Sequence, residues 1–396
     1  MQTDTPNLFI EINYSNYIFV AGIYDDSQNF KIIEKIIASN EGINKNEFTN
    51  IDHAKEIIKK NVQSIEDKLN YVFKDVTIIL DNLYYSCINI SGFKKLNGSE
   101  VLKENISYIL NSLKLAVTEN EKEKTILHIF NSKSILDGNR VENLPIGLFG
   151  DFYSHELTFF LIKTNDLKNI KQIFNKNNLN VKKVLIKKFI EGAELIDENN
   201  NTETFFKIKI NKDNSSLSFF DKASFRYLEH FHFGTSIIFK DIVKVCSIDH
   251  KIVEKILSNK FYEDKSFEDH ELLEEKYFIQ GNYRKIRKKL IMDIVNARIE
   301  EIASIILKKN INLEFVKQNN IPIYMIIEDE LIFDNFKENF KSYFSQYEFH
   351  LIDDFKIDSL VMSAAHLSIY GWKKEAIPVT QTKNSLITRI FKSLFG

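Results

Sequence analysis

The spacing of apolar and polar positions along this chain switches repeatedly between a period of two and a period near 3.6, which outlines an α/β protein. Leu8 to Asn13 and Tyr17 to Gly22 are short β-type runs on either side of the polar turn Tyr14-Ser15-Asn16. From Asp52 to Phe73 the period is helical, with Ala54, Ile57, Ile58, Val62, Ile65, Leu69 and Val72 on one stripe. The first segment therefore reads strand, strand, helix. Val76 to Leu80 and Tyr84 to Ile90 predict strands, Glu100 to Val117 a helix, and Thr125 to Phe130 and Glu156 to Lys163 two further strands. Leu167 to Asn177 predicts a helix, Lys183 to Ile186 a strand, and Phe189 to Leu195 a short helix.

A polar run from Asp197 to Asn201 marks a domain boundary. Beyond it, strands Phe205 to Ile210 and Ser216 to Asp221 flank the turn Asn211 to Ser215, and Ser224 to His232 is a third strand. Helices are expected at Ser236 to Val245 and His250 to Asn259, and the charged stretch Tyr262 to Glu275 is expected to loop out. Tyr283 to Asn310 predicts one long helix with its stripe at Ile286, Leu290, Ile294, Ala297 and Ile305. Ile321 to Ile327 predicts a strand, Leu331 to Phe344 and Leu360 to Tyr370 two helices, and Trp372 to Lys383 a polar linker. Both halves open strand, turn, strand, which suggests an internal duplication.

The last thirteen residues carry the strongest physical signal. At ~100° per residue, Leu386, Ile387, Ile390, Phe391, Leu394 and Phe395 share one half of a helix. Thr388, Arg389, Lys392 and Ser393 fill the other half, and Asn384 or Ser385 can cap it. No acidic residue occurs from Gln381 onward. Bulky apolar groups opposite a cationic face describe a helix lying in an anionic leaflet. A terminal helix packed on its own domain is the bland alternative. The tether, the two Phe and the absence of acid favour the membrane, bound reversibly unless the protein oligomerises.

Composition narrows the function classes. At 396 residues the chain exceeds one ordinary core. Its 53 basic and 55 acidic residues are mixed, giving a net charge of −2 and no broad field for nucleic acid. Cys87 and Cys246 form no CxxC pair, which fits a reducing compartment. Met1 to Phe19 lacks the pattern of a signal peptide, and no apolar run reaches 18 residues, so a cytosolic protein is expected, free or held at a membrane face. No GxSxG, HExxH, P-loop or kinase signature is present. His230 and His232 share a strand face but lack a third ligand at metal spacing, and they read as ordinary sheet histidines. Arg284, Lys285, Arg287, Lys288 and Lys289 form a cationic cluster that is either a solvated face or a dock for an acidic peptide.

Several stretches together resemble the cell-division protein family FtsA. Ile90-Ser91-Gly92 with Asn97-Gly98 is similar to its "ISG…N..G" stretch. Ile126 to Ile129, Asp137-Gly138 and Asn143 to Gly150 resemble "ILHV…DG…NPIGM.G", the most specific block. Ala297 to Ile302 looks like the "ARVEEI" helix and Ser363 to Tyr370 like "TAVGLLLY". The resemblance implies an actin-like, ribonuclease H-like duplicated two-lobed fold with an SHS2-type insert and a C-terminal amphipathic helix. Residues 1–75 and 164–201 would form the first lobe, 76–163 the insert, 202–248 and 311–372 the second lobe, and 249–310 its smaller subdomain. Residues 373–383 would be a linker and 384–396 the membrane-targeting helix. It further implies head-to-tail self-association through the insert and attachment to the inner membrane at the septum. The C-terminal peptide of the tubulin-like FtsZ would bind around Asp249 to Asn310, with Arg284, Lys285, Arg287, Lys288 and Arg298 as candidate contacts.

The family's nucleotide loops are degenerate in this chain. An actin-type site needs Gly-rich hairpins whose backbone N–H groups approach phosphates, with acids managing the metal. "DIGTSK" corresponds to Glu11-Ile12-Asn13-Tyr14-Ser15-Asn16, where the glycine and lysine are lost. "DIGGGTTD" corresponds to Lys209 through Lys212 to Ser216, with every glycine gone and both acids replaced. "TGGGA" aligns with Ile326-Ile327-Glu328-Asp329-Glu330, three acids that repel phosphate. Only Gly234 and Asp241 keep part of "GG…NDIA". A non-catalytic pseudo-actin without cofactor or metal is expected. Weak ATP and Mg²⁺ binding through Lys209 or Lys212, an ATP-dependent polymerising FtsA, and a pilus-assembly relative are the alternatives.

Overall fold

Nearly continuous apolar runs become the central strands. β1 (Asn7–Ile12) is buried from Leu8 onward, as a strand covered on both faces must be. It lies antiparallel to β2 (Asn16–Tyr24) and parallel to β6 (Asp75–Leu80), with Ile10 opposite both Phe19 and Ile78. β3 (Phe30–Ser39) and β11 (Asn180–Ile186) complete the sheet in the order β11-β6-β1-β2-β3. β4 (Ile43–Asn44) and β5 (Glu47–Phe48) make a separate short ladder. The computed structural model describes residues 5–44, 47–81, 85–198, 202–258, 268–278, 283–311, 313, 321–328, 341–343 and 348–376. The chain divides into two compact units, Met1–Glu203 with Phe220–Leu228 and Phe355–Gly396, and Thr204–Phe219 with Glu229–Asp354.

β3 is a strand that the sequence pattern did not assign. Its Ile32-Ile33 and Ile36-Ile37 doublets recur at a spacing of four, which blurs a period of two. In the structure Ile33 and Ile37 face water while Phe30 is buried. α1 (Ile51–Leu69) begins where Asn50 Oδ1 accepts the His53 N–H at 3.0 Å and ends at Asn70 in the left-handed region. Ala54, Ile58, Val62 and Ile65 form its buried stripe, each larger side chain contributing about 2 kcal/mol. Val72, expected on the same stripe, lies beyond the helix and is exposed.

The insert is a second layer of the first unit. β7 (Tyr85–Lys95), α2 (Lys103–Asn120), β8 (Lys124–Leu136), β9 (Asn139–Val141) and β10 (Phe152–Lys163) form a four-stranded sheet, ordered β7-β10-β8-β9, with one helix. Asp137-Gly138, both at positive φ, make the two-residue β8–β9 turn. The insert starts at Tyr85 rather than at residue 76, because β6 pairs with β1 and β11 in the main sheet. After the insert, α3 (Thr164–Asn175) packs on α1, and β11 runs into α4 (Lys187–Glu198).

A second five-stranded sheet contains β12 (Phe205–Asn211), β13 (Ser215–Asp221), β14 (Ser224–Phe231), β15 (Ile323–Glu328) and β16 (Phe349–Leu351) in the order β14-β13-β12-β15-β16, with Phe220–Leu228 of β13 and β14 counted in the first unit and the rest in the second. β12 pairs parallel with β15, as β1 does with β6. The same order in both sheets is the architectural counterpart of the duplication. α5 (Ser236–Cys246), α6 (His250–Leu257) and α7 (Lys288–Ala303) follow the hairpins.

Three boundaries depart from the sequence reading. The long helix starts at Lys288, not Tyr283, and ends in a π-turn at Ser304–Lys308. Its buried stripe is Ile291, Val295, Ile299 and Ile302, rotated from the expected set, so that Ala297 is exposed. Ile286 is buried ahead of the helix, where Leu273 N–H donates to its carbonyl at 2.8 Å. α8 (Ile357–Tyr370) belongs to the first unit, not the second, because it packs on α4 and β3. Residues 331–340 lie outside the described residues, and with them most of the helix expected at Leu331 to Phe344.

His155 sits in β10 among the insert's buried residues, 1% exposed, and neither ring nitrogen has a hydrogen-bond partner among the described residues. Burial pushes its pKa down to about 4. The unfolded chain takes up that proton near the ordinary value of ~6.5, so stability is full above pH 6.5 and falls as pH drops towards 4. Urea unfolding at pH 7.5 and pH 4.5 should show that His155→Leu removes ~3 kcal/mol or less of the acid-induced loss.

Candidate functional site

Ligands of α/β proteins gather beyond the carboxyl ends of parallel strands. In the first unit those ends carry charge. Glu11 lies near the end of β1, Asp81 follows β6, and Lys187 and Lys188 follow β11, with Glu191 one turn into α4. Lys187 Nζ is 2.7 Å from Glu11 Oε1 and 3.7 Å from Asp81 Oδ2. Lys188 Nζ is 2.9 Å from Asp81 Oδ1 and 3.7 Å from Glu191 Oε1. All five side chains are buried, Glu11 and Glu191 completely. Two ammonium groups therefore stand among three carboxylates, where a nucleotide-bound metal would supply positive charge in an actin-type site.

The β1–β2 turn is closed on itself. Asn13 Oδ1 accepts the backbone N–H groups of Asn16 at 2.7 Å and Ser15 at 3.0 Å, while its Nδ2 donates to Glu11 Oε1 at 3.1 Å. These are turn amides of the kind that cradle phosphate in a Gly-rich hairpin. Here a side-chain amide satisfies them.

The β12–β13 turn in the second unit has the same character. Asn211 N–H donates to Asn214 O at 2.9 Å. At the start of α5, Thr235 N–H donates to Asn211 O at 3.1 Å and Ser236 N–H to Lys212 O at 2.8 Å. Ser236 Oγ donates to Asp213 Oδ1 at 2.7 Å. The amides that make a helix N-terminus an anion site are thus given to the chain's own carbonyls. Gly234 permits this approach, since a Cβ there would stand 2.0 Å from Asn211 O. Lys209, 3% exposed, has its Nζ 2.8 Å from Asp354 Oδ2 and 2.9 Å from Glu328 Oε2. Its ammonium is thus held between two carboxylates of its own unit. Lys212 is exposed, and Asp329 and Glu330 lie outside the described residues.

The remaining candidates separate. Asp241 binds the Arg298 guanidinium, which also reaches Glu301, so Arg298 ties α7 to α5. Arg284, Lys285 and Arg287 precede α7, and a bridge pairs Arg287 with Leu272. Described residues from 268 to 275, expected to loop out, instead bring acids to the basic cluster: Lys288 lies 3.3 Å from Glu271 and Lys289 2.5 Å from Asp269. The basic dock is thus partly neutralised by the chain itself. Leu386, Ile387, Arg389, Ile390, Phe391, Lys392, Leu394 and Phe395 lie outside the described residues. The expected linker is ordered at its start. Lys374 O accepts Asn131 N–H at 2.7 Å, Ala376 N–H donates to Ile129 O at 2.7 Å, and Ala376 enters the insert's core. Glu375 Oε1 meets His128 Nδ1 at 2.7 Å, both side chains buried. The sequence reading missed Asp81, Lys187, Lys188 and Glu191; the signal was charge immediately after an apolar strand.

Two parallel-centred sheets of one order, with an insert in the first unit, define an actin-like fold. It aligns with the structure of the PilM–PilN type IV pilus biogenesis complex at a TM-score of 0.53, covering 91% of this chain and 96% of that one at 8% identity. No family model matches. By sequence the chain is similar to cell division protein FtsA of Buchnera aphidicola subsp. Schizaphis graminum, 22% identical over 301 residues, 75% of this chain and 71% of that protein. It is also similar to FtsA of Neisseria meningitidis serogroup B, 20% identical over 302 residues, 75% and 72% of the two chains. Among the described residues no helix is long and apolar enough to cross a membrane, and no three His, Cys, Asp or Glu side chains group as for a metal.

Gly234→Ala forces its new methyl into the β12–β13 turn. Denaturant unfolding should show a loss of about 2 kcal/mol, against a change within ~0.5 kcal/mol for Gly138→Asn at the exposed β8–β9 turn.

Proposed function

We propose that this protein is an FtsA-like cell-division factor: a peripheral tether that holds FtsZ filaments to the cytoplasmic face of the membrane and works as a pseudo-actin. The observation that carries the reading is similarity to FtsA over three quarters of the chain, joined to an acid-free amphipathic C-terminal sequence. The membrane-binding residues are Leu386, Ile387, Ile390, Phe391, Leu394 and Phe395, flanked by Arg389 and Lys392. The insert, SHS2-like by resemblance, exposes Phe93 stacked on Phe152 at 5.3 Å, together with Leu148 and Phe149. Such an apolar area suits contact with another copy. FtsZ's acidic tail would meet Arg284, Lys285 and Arg287, the members of the basic cluster that make no ion pair among the described residues.

Hydrolysis has no support from the loops. Glu11 is held by Lys187, Lys209 by two carboxylates, and both turns bond inward. The reading is of a scaffold whose three nucleotide loops hold neither ATP nor Mg²⁺. The fold likeness to PilM keeps a pilus-assembly role as the second reading, separated from the first by the FtsZ arm of the test below.

Co-sedimentation with anionic liposomes should pellet the full chain, and FtsZ with it, while a chain ending at Lys383 stays in solution with FtsZ. Phosphate release from ATP and Mg²⁺ should stay at the blank. A truncated chain that still pellets, or a full chain that pellets without FtsZ, would remove the tether reading.

A further inference from the structure

A pocket of about 540 Å³ opens in the first unit between the β8–β9 hairpin, the segment after α8 and the β13–β14 turn. Nothing in the nucleotide or tethering reading uses it. Five cations line it: Lys133, Arg140, Lys222, Lys373 and Lys374. Only two carboxylates do, one paired with a lining cation and the other turned away. Glu142 is 3.0 Å from Lys222, and Glu375 is turned to His128. Arg140 reaches Asp221 at 3.0 Å and Lys373 pairs with Glu203. Lys133 and Lys374 have no carboxylate partner among the described residues, and Lys374 Nζ donates to the Glu142 carbonyl at 3.1 Å. Burial, with Lys373, Arg140 and Lys222 adding to it and Glu203 opposing, pulls the Lys374 amine below its ordinary pKa. Of the five cations, Lys133 and Lys374 are thus left without a carboxylate among the described residues. Leu144, Ile146 and Trp372 add an apolar wall.

Pocket size fits a small molecule, and several converging cations suit a dianion with three acceptor oxygens more than a single carboxylate. We propose that this pocket binds a phosphate-bearing small molecule. Its phosphoryl group is held by Lys133, Arg140 and Lys374, and its apolar body rests against Trp372, Leu144 and Ile146. The source is a soluble phosphorylated compound or the headgroup of a phospholipid. This inference stands apart from the tether reading, so either can fail alone.

Trp372 is the chain's one tryptophan, so its emission reports on the pocket. The full chain is titrated with inorganic pyrophosphate and, separately, with monomeric dihexanoyl phosphatidic acid at low ionic strength. A saturable change in Trp372 emission is expected, and the stronger probe identifies the soluble or the lipid source. Lys133→Glu/Lys374→Glu should weaken apparent affinity tenfold or more with an unchanged far-ultraviolet spectrum. Lys133→Gln, which breaks no internal ion pair, should weaken it severalfold and decides the matter if the double variant does not fold. A flat emission with both probes overturns the proposal, as does equal affinity in the folded variants.

Discussion

β1 and β6 run parallel and deliver Glu11 and Asp81 to a buried place at their ends. A carboxylate withdrawn from water must be matched by positive charge or take up a proton. Actin-like proteins that bind nucleotide can supply the charge from the ligand's metal. In this chain Lys187 and Lys188 supply it from β11 and α4, at distances of 2.7 and 2.9 Å. These two resident ammonium groups offset much of the charge of the three carboxylates Glu11, Asp81 and Glu191. The inward-bonded β1–β2 turn is consistent with that, since amides satisfied by Asn13 need no phosphate.

The second unit reaches the same end by other means. There the strand that would begin a phosphate hairpin carries Lys209, and Glu328 and Asp354 neutralise it. The turn beyond gives its carbonyls to the start of α5. On the proposed reading, a scaffold stabilised in this way is free of the requirement to bind and release nucleotide. Its surfaces can then be assigned to partners: an apolar insert face, a basic segment before α7 and a C-terminal sequence suited to an anionic leaflet.

Most of the architecture was legible in the sequence because central strands read as unbroken apolar runs. β1, β6 and β12 were placed within a residue or two, and the FtsA-like order of motifs carried the fold. β3 was lost because its isoleucine doublets mimic a helical spacing. The start of α7 was misplaced because Ile286 fits a helical stripe yet is buried from a bridge segment. α8 went to the wrong unit since an apolar helix does not announce which sheet it covers. At the candidate site, the loss of glycines was visible from residue types alone. What replaced them was not: Lys187 lies 176 positions from Glu11 in the chain, and no local pattern links them. Trp372 to Ala376 read as polar linker because Lys373, Lys374 and Glu375 are three charges in a row, although Ala376 and the Glu375–His128 pair are buried.

The central claim is that Lys187 is the standing counter-ion of Glu11, and a double-mutant cycle on that pair tests it most directly. Urea unfolding at pH 7 compares the wild type with Glu11→Gln, Lys187→Met and the double variant. Each single change should cost about 3 kcal/mol or more, and the double variant should lose at least ~2 kcal/mol less than the sum. Losses that add within ~0.5 kcal/mol would show that the two groups do not depend on each other, and the account of a self-neutralised actin-like site would fail.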